Sequence, residues 1–442
     1  MAKLIDFSSI SRALGERNYR IYTSGAAVSL LGLWVQRIAV GWLTWELTRS
    51  GTWLGLIAFA DLFPTVVLTP IAGVIADRMD RRHMSIIAQS LAMVQAVLLS
   101  GLTIGGLIDI RALFGLTLFL GVVTSFGTAA RLSLIPNLVS REHLSSAIAI
   151  NSAVFNIARF LGPAVGGVII VASGVGPAFA FNAATFVVFL VALSRVRVLS
   201  TETAGKSEDG VMSQVVEALR YARTHPGIGP MLLLLIATAL GGKAYMELLP
   251  GFADDVFGRG AEALAQFTAA AGLGALVTAL WLAQRGVVVG LTLITISSVL
   301  VGGLTILLFT ASDIFWVALP CTLVAGAAMA VTGTGTQTLM QNTVAGAMRG
   351  RVMSLYGVIF RGAPALGALI MGALSEIIGL RLAVAGGGVL CLLVWFWAMK
   401  REPITARALE GDLADKPGPG APVAEPTAPS AEILGKPPSA SR

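Results

Sequence analysis

The stretch GVIADRMDRR, Gly73–Arg82, holds five charged side chains in ten residues: Asp77, Arg78, Asp80, Arg81 and Arg82. On each side lie about twenty residues almost free of charge. A bilayer core is crossed by roughly 20 apolar residues in a helix, so a charged knot between two such runs reads as a tight loop at a membrane surface. Similar runs recur along most of the chain. Of its 442 residues 55% are hydrophobic and only 12% charged, against about 25% charged in soluble domains. That is too little charge to cover a water-facing surface. A β-barrel would show alternating strands of ~10 residues, whereas these runs are longer and continuous. The composition therefore predicts an all-α polytopic membrane protein whose main solvent is the lipid bilayer.

Twelve spans are expected, at about 21–44, 53–76, 84–106, 112–131, 146–171, 177–195, 228–249, 263–283, 287–311, 314–339, 350–374 and 380–399. They divide the chain into a cytoplasmic segment 1–20, a six-helix bundle 21–196, a linker 197–227, a second bundle 228–400 and a tail 401–442. The N-terminal segment is polar and somewhat amphipathic. It reads as a surface-lying piece rather than a cleavable signal. In the linker, VMSQVVEALRYART spaces its apolar residues as an interfacial helix does. The tail, rich in Pro, Ala and Gly, is expected to be disordered. Lys and Arg gather in the loops on one side, from Arg78 to Arg401, against Arg49, Arg111, Arg259 and Arg381 on the other. That bias predicts cytoplasmic termini. GPAVGG (Gly162–Gly167) in span five is echoed by APALGA (Ala363–Ala368) in span eleven. Two pseudo-symmetric six-helix bundles follow, an arrangement that sets a binding site between them near the midplane.

The net charge of +7 reflects loop Lys and Arg rather than a nucleic-acid face, since no basic surface with interleaved aromatics is visible. Cys321 and Cys391 lie in apolar spans, and none of His83, His143 and His225 adjoins a Cys or a second His. No disulfide, metal or cofactor is expected. The glycine-rich VTGTGTQTLMQN (Val331–Asn342) lacks the Lys and the strand–loop–helix setting of a phosphate loop, so the energy source is expected to be an ion gradient.

GVIADRMDRR, joined to twelve spans and a repeat, resembles the loop signature of the major facilitator superfamily. Gly73, Asp77, Arg78, Arg81 and Arg82 match that pattern, and Asp80 stands where the pattern has Gly. This variant is similar to the branch that holds enterobactin-exporter-like proteins and drug–proton antiporters. SLLGLWVQRIAVGWLTWELTRSGTWLG and YMELLPGFADDVFGRGAEALA resemble the same branch. Gly162, Pro163, Gly166 and Gly167 look like the end of the span-five antiporter motif; its upstream glycines fall on Ala149 and Ala158. The exporter arginine within span four is missing, Arg131 being only at that span's end. The resemblance covers about 20–400. It implies the major facilitator fold and a monomeric inner-membrane transporter. A small amphipathic molecule, drug-like or siderophore, would leave the cytoplasm by alternating access in exchange for protons. It also implies a latch in which Asp77 meets the start of span eleven at Gly350–Arg351, beside Arg131, when the cytoplasmic side closes.

Charges at bilayer depth cost at least about 2.5–3.5 kcal/mol and face a cavity or a partner. The candidates are Arg37, Asp61, Arg159, Lys243, Glu247 and Arg361. Asp61 lies ~12 Å along span two from its outer end, with Arg37 at similar depth. The two read either as a proton- or substrate-coupling pair or as a static ion pair locking two helices. Lys243 and Glu247, four apart, are expected to share a helix face, and read equally as a pair that neutralises itself or as a contact for proton or substrate coupling. Arg159 and Arg361 are pseudo-symmetric: together they suit an anionic or phenolate-bearing substrate, while singly each could bind neighbouring carbonyls. Asp254, Asp255 and Glu262 are expected to be solvated. Pro163, Pro320 and Pro364 suit helices that bend. The rival readings are an importer of the same fold and a membrane sensor or anchor; an intramembrane enzyme lacks a Ser/His or metal constellation.

Overall fold

The computed structural model describes residues 7–196, 211–344 and 346–414. Twelve helices within them are long and apolar enough to cross a membrane. Spans one to six are Arg17–Thr48, Gly51–Arg78, Arg81–Ile104, Ile110–Leu134, Leu144–Ser173 and Val175–Arg195. Spans seven to twelve are Ile228–Val256, Gly260–Arg285, Leu291–Ala311, Phe315–Thr343, Gly346–Ile378 and Leu380–Ala414. An even number of crossings puts both ends of the described chain at one end of the protein, the terminal end. The span-one/span-two corner marks the opposite, distal end.

Local chemistry cuts these helices at the loops. Ser50, Asp80 and Asp109 cap spans two, three and four through hydrogen bonds from the backbone N–H groups of Trp53, Arg82 and Ala112, which satisfies donors that a helix start leaves open. Spans five and six meet at one glycine, Gly174 at φ +89°, and spans eleven and twelve meet at Gly379, φ +83°. Both corners need the left-handed region that only glycine enters cheaply, and they fall at matching places in the two halves.

Within the first bundle a buried amide network ties four helices. Asn182 donates to Gln36 Oε1 at 2.7 Å, Gln36 donates to Gln95 Oε1 at 3.0 Å, and Gln95 donates to the Leu116 carbonyl at 3.2 Å. Each amide satisfies the next, so the polar groups cost little to bury. The span-five motif works by its lack of side chains. A Cβ on Gly162 would strike Trp34, one on Gly166 would press on Val35, and one on Gly167 would strike Ala265 of span eight. Small residues here bring span five against span one and across to the second bundle.

Among the described residues, the close glycine contacts between the bundles lie from the distal end to about the midplane. Span two meets span eleven at Gly51–Gly372, Gly55–Ala368 and Val66–Gly362, and span five meets span eight at Gly167–Ala265 and Arg159–Gly272. Toward the terminal end, Gly73, Gly346, Gly350 and Gly357 have nothing within 4 Å of where a Cβ would stand. The bundles part there, and the cavity between them opens toward the termini.

Two departures from expectation, in the last helix and in span seven, have local causes, and the linker helix falls on the residues expected for it. The last helix does not stop near 400 but runs to Ala414, its end fastened to the second bundle. Glu410 accepts from the backbone N–H groups of Gly290 (2.5 Å) and Thr292 (2.7 Å) at the start of span nine, and Thr343 donates to the Leu409 carbonyl at 3.0 Å. A carboxylate at a helix start is stabilised by the N-terminal dipole, so 401–414 is ordered structure; 415–442 lie outside the described residues. The linker helix, Val211–Thr224, buries Ala218 and Ala222, and its Glu217 pairs with Arg351 at 2.7 Å. Segments 1–6 and 197–210 are outside the described residues. Span seven, expected as a plain helix, winds as α to Ala237, π-type over Thr238–Lys243, 3-10 over Ala244–Leu248 and π-type again over Phe252–Val256.

Just before span seven stands His225, whose Nδ1 accepts from the backbone N–H of Gly227 (3.1 Å) and Ile228 (3.3 Å). Burial holds the His225 imidazole below its ordinary pKa. The unfolded chain therefore binds the proton first as pH falls below about 6.5. The cap's contribution is complete above that value and is lost as pH falls through the folded pKa. Thermal unfolding in detergent is expected to show His225→Asn, which keeps an acceptor, losing part of the destabilisation seen between pH 7 and 5. An unchanged pH slope would exclude the cap as its source.

Candidate functional site

The ionisable residues of the spans gather around the cavity, but their partners differ from those that spacing alone predicts. Arg37 of span one donates to Glu247 Oε1 of span seven at 2.9 Å and lies 3.6 Å from Asp61 Oδ2 of span two. The guanidinium thus serves two carboxylates, one from each bundle, near the cavity's distal end. Among the described residues Lys243 forms no direct ion pair with Glu247, whose partner is Arg37. Lys243 donates to the Phe360 carbonyl at 3.4 Å and stands 4.0 Å from the centroid of the Phe360 ring. The i,i+4 rule assumes α geometry; the π and 3-10 turns of span seven swing the two side chains to different neighbours. Such turns recur at functional positions.

Arg159 and Arg361 occupy matching places in spans five and eleven. Neither makes a hydrogen bond or ion pair among the described residues, so the reading in which each binds neighbouring carbonyls does not describe this conformation. Arg159 lies 5.9 Å from the Trp34 ring, and Arg37 lies 5.5 Å from the same ring. Lys243 is within electrostatic reach of Arg159, Arg37, Arg361 and Glu247. Four basic side chains (Arg37, Arg159, Lys243, Arg361) therefore share the cavity with two carboxylates (Asp61, Glu247), so basic groups outnumber acidic ones there.

Aromatic rings flank these cations on both bundles. Trp34 meets Phe155 edge-on at 6.0 Å, and Tyr356 stacks on Phe360 at 5.5 Å. The Tyr356 hydroxyl donates to the Gly333 carbonyl at 3.1 Å. Gly333 also leaves room for the Phe360 ring, whose edge would be 3.0 Å from a Cβ there. The glycine-rich stretch of span ten is a packing surface for this wall. Sequence reasoning passed over these four aromatics. Their signal was spacing, since Phe155 is four residues before Arg159 and Phe360 is next to Arg361.

The charged loop residues have separate duties. Asp80 caps span three and also accepts from His83 at 2.7 Å. Burial pushes its carboxyl up, but the hydrogen bonds from His83 and from the backbone N–H groups of Arg82 and His83 outweigh this and hold it below its ordinary pKa. Arg82 donates to the carbonyls of Leu193 (2.9 Å) and Ser194 (2.8 Å) at the end of span six, where a cation also suits the helix dipole. Arg351 pairs with Glu217 of the linker helix. Arg131 lines a crevice of about 90 Å³ with Ser29, Gln89, Thr124 and Thr128. The side chains of Asp77 and Arg78 lie outside the described residues. With the bundles parted at this end, the loop does not join them here through Asp80 or Arg82.

Of the distal acids expected to be solvated, Asp255 and Glu262 are exposed and Asp254 is not. Asp254 of span seven accepts from Trp45 Nε1 at 3.0 Å and forms an ion pair with Arg49. Arg49 also lies 3.7 Å from Asp255 and is the one non-glycine residue at positive φ, +50°, among those described. Glu376, near the end of span eleven, accepts from Ser50 Oγ at 2.6 Å and from the Thr52 backbone N–H at 3.4 Å.

Comparison with known proteins agrees with this architecture. The chain is 22% identical over 386 residues to the staphyloferrin A transporter of Staphylococcus aureus (strain NCTC 8325 / PS 47), covering 87% of this chain and 96% of that one. It is 26% identical over 404 residues to the multidrug efflux pump Tap of Mycolicibacterium fortuitum, covering 86% and 93%. It is 27% identical over 364 residues to the enterobactin exporter EntS of Escherichia coli O1:K1 / APEC, covering 79% and 83%. Among solved structures, the nucleoside transporter NupG superposes with a TM-score of 0.66 at 11% identity, over 87% of this chain and 99% of that one. A bacterial homologue of the human lysosomal transporter Spinster, inward-facing and occupied, gives 0.68 at 14% identity, over 88% and 97%. These two share the fold. The family model described as transmembrane secretion effector matches residues 12–425. With twelve spans in two halves around a charged cavity, the chain belongs to the transmembrane secretion effector family of major facilitator transporters.

Proposed function

We propose that this protein exports a small amphipathic anion bearing an aromatic or carboxylate group, of siderophore or drug-like class, across a bacterial inner membrane in exchange for protons. The terminal end faces the cytoplasm, as the Lys and Arg bias requires. The observation that carries the reading is the cavity's excess of basic over acidic groups, with Arg159 and Arg361 free to bind and Trp34 and Phe360 beside cations. A guanidinium holds a carboxylate or phenolate through a planar fork, and rings beside it take the apolar body of the same molecule. Curated relatives named for siderophores and for multiple drugs fit this chemistry.

Coupling rests on the sharing of Arg37. With both carboxylates ionised, Arg37 ties span one to span seven through Glu247 and keeps the distal end shut. A proton on either carboxylate removes one of the two charges that hold it. The cluster then has two arrangements whose balance depends on protonation and on the substrate anion, which competes for the same cations. A conformational equilibrium responds to ligands in this way only when they bind its two states unequally.

The test uses inverted membrane vesicles. An anionic siderophore, an acidic dye and a cationic dye are offered with the lumen acidified or not. Accumulation of the anionic compounds, driven by the acid lumen, is expected. Uptake that is equal with and without the gradient would sink proton exchange, and preference for the cationic dye would sink the anion site.

A further inference from the structure

Spans two and eleven run antiparallel side by side, and each holds a carboxylate in its own last turn: Asp77 before the end at Arg78, and Glu376 before the end at Ile378. A negative charge in the last turn opposes the helix's own dipole and is locally unfavourable. The same charge is favourable at the N-terminus of a neighbouring helix. Glu376 has found one. It reaches across the bundle interface to the start of span two, where one oxygen takes the Ser50 hydroxyl at 2.6 Å and the Thr52 N–H at 3.4 Å. Thr52 returns a hydrogen bond to the Gly372 carbonyl at 3.3 Å. Gly51 and Gly372 meet backbone to backbone below, and a Cβ on Gly55 would strike the Ala368 carbonyl. From the other side the same corner is held by Asp254, through Trp45 and Arg49.

We infer that Glu376 is the distal latch of the transport cycle, the reciprocal of Asp77 on the same pair of helices. When the distal ends of the bundles meet, Glu376 caps span two. When the terminal ends meet, Asp77 caps span eleven, as the family resemblance implies. Rocking about the midplane undocks one acid as it docks the other, because a rotation that brings one pair of helix ends together parts the other pair. The pair is bistable for a simple reason: Glu376 is badly placed at the end of its own helix and well placed at the start of span two, and the resemblance implies the same of Asp77 and span eleven. Span two's start needs Ser50 and Thr52 to receive Glu376, and the glycines 51, 55 and 372 let it come close. The inference rests on alternating access by this fold and not on the proposed substrate or coupling ion.

The test measures conformation without substrate. Spin labels go at Leu107→Cys and Ile314→Cys, exposed positions on the distal loops of opposite bundles, in a chain carrying Cys321→Ala and Cys391→Ala. Their separation is read by double electron–electron resonance in detergent and in lipid nanodiscs. Glu376→Gln is expected to move the population toward the distally open, long-distance state by about three- to tenfold. Glu376→Asp, too short to reach Ser50, should shift it the same way by less, and Glu376→Lys by more. Asp77→Asn should shift it oppositely, and the double amide should return toward the starting ratio. Monodisperse elution and an unchanged unfolding temperature certify each variant; where one fails, the remaining members of the graded set give the reading. Unmoved distances in the Glu376 variants, or a shift in the same direction as Asp77→Asn, would overturn the latch. Loss of transport with an intact shift would count against the proposed substrate reading alone.

Discussion

Replacing Arg159 and Arg361 together by alanine is expected to abolish measurable accumulation of anionic substrate, while a cationic dye, if carried at all, is spared. Both guanidiniums stand beside the cavity with no ion pair among the described residues, so nothing in the protein is left unpaired when they go. The fold should tolerate the change. A hydrogen bond to a charged group contributes about 1.5–3 kcal/mol, so each arginine accounts for roughly ten- to 100-fold in apparent affinity, and the pair for more. Single Ala variants should raise KM by the smaller factor with little change in maximal rate. Lysine at either place keeps the charge but loses the planar fork, and should recover only part of the affinity. Concentration-dependent uptake into inverted vesicles measures this directly. A double variant with unchanged KM would remove the arginines from the substrate site.

The second large effect is expected at the shared guanidinium. Asp61→Asn leaves the 2.9 Å contact between Arg37 and Glu247 in place, so the bundles stay joined while one proton-accepting group is lost. Uptake should then lose its response to lumenal pH, falling from a limit of about tenfold per pH unit for one titrating group to none. Glu247→Gln removes the only one of the two carboxylates that comes from the opposite bundle. It should both flatten the pH response and favour the distally open state. Arg37→Ala leaves two half-buried carboxylates facing each other without their cation, and should be the least stable of the three. The distinction between the two acids is the useful part. If Asp61→Asn and Glu247→Gln behave identically in the conformational assay, the cluster is not an interbundle tie. If the doubly amidated chain still follows the proton gradient, coupling lies elsewhere.

Much of this was legible from residues alone. Span number, the tail's change of composition, the corners and the inventory of charges at bilayer depth are local properties. Hydropathy over about twenty residues, a capping side chain or a single glycine writes each of them into a short window. Asp80 belongs here too: an acid directly before the Arg81–Arg82 start of span three is an N-cap signal. The helix beyond 400 was also locally encoded, but the apolar pattern fades there, and only Glu410 meeting the start of span nine shows why it persists.

Partnership was not legible. Lys243 and Glu247 are four residues apart, yet one rests on Phe360 and the other grips Arg37, because the winding of span seven is set by the helices packed around it. Arg37 and Glu247 are separated by 210 residues, and no window on the chain contains both. Glu376 reads as an ordinary surface acid until span two is placed beside it. Residue order alone sets twelve membrane crossings and which side chains meet bilayer depth, since transfer from water to lipid acts on each segment independently. Folding in three dimensions sets which charges neutralise one another and which two remain open to a substrate. It also sets which end of the cavity is shut, since these follow from distances between helices that the chain brings together only on folding.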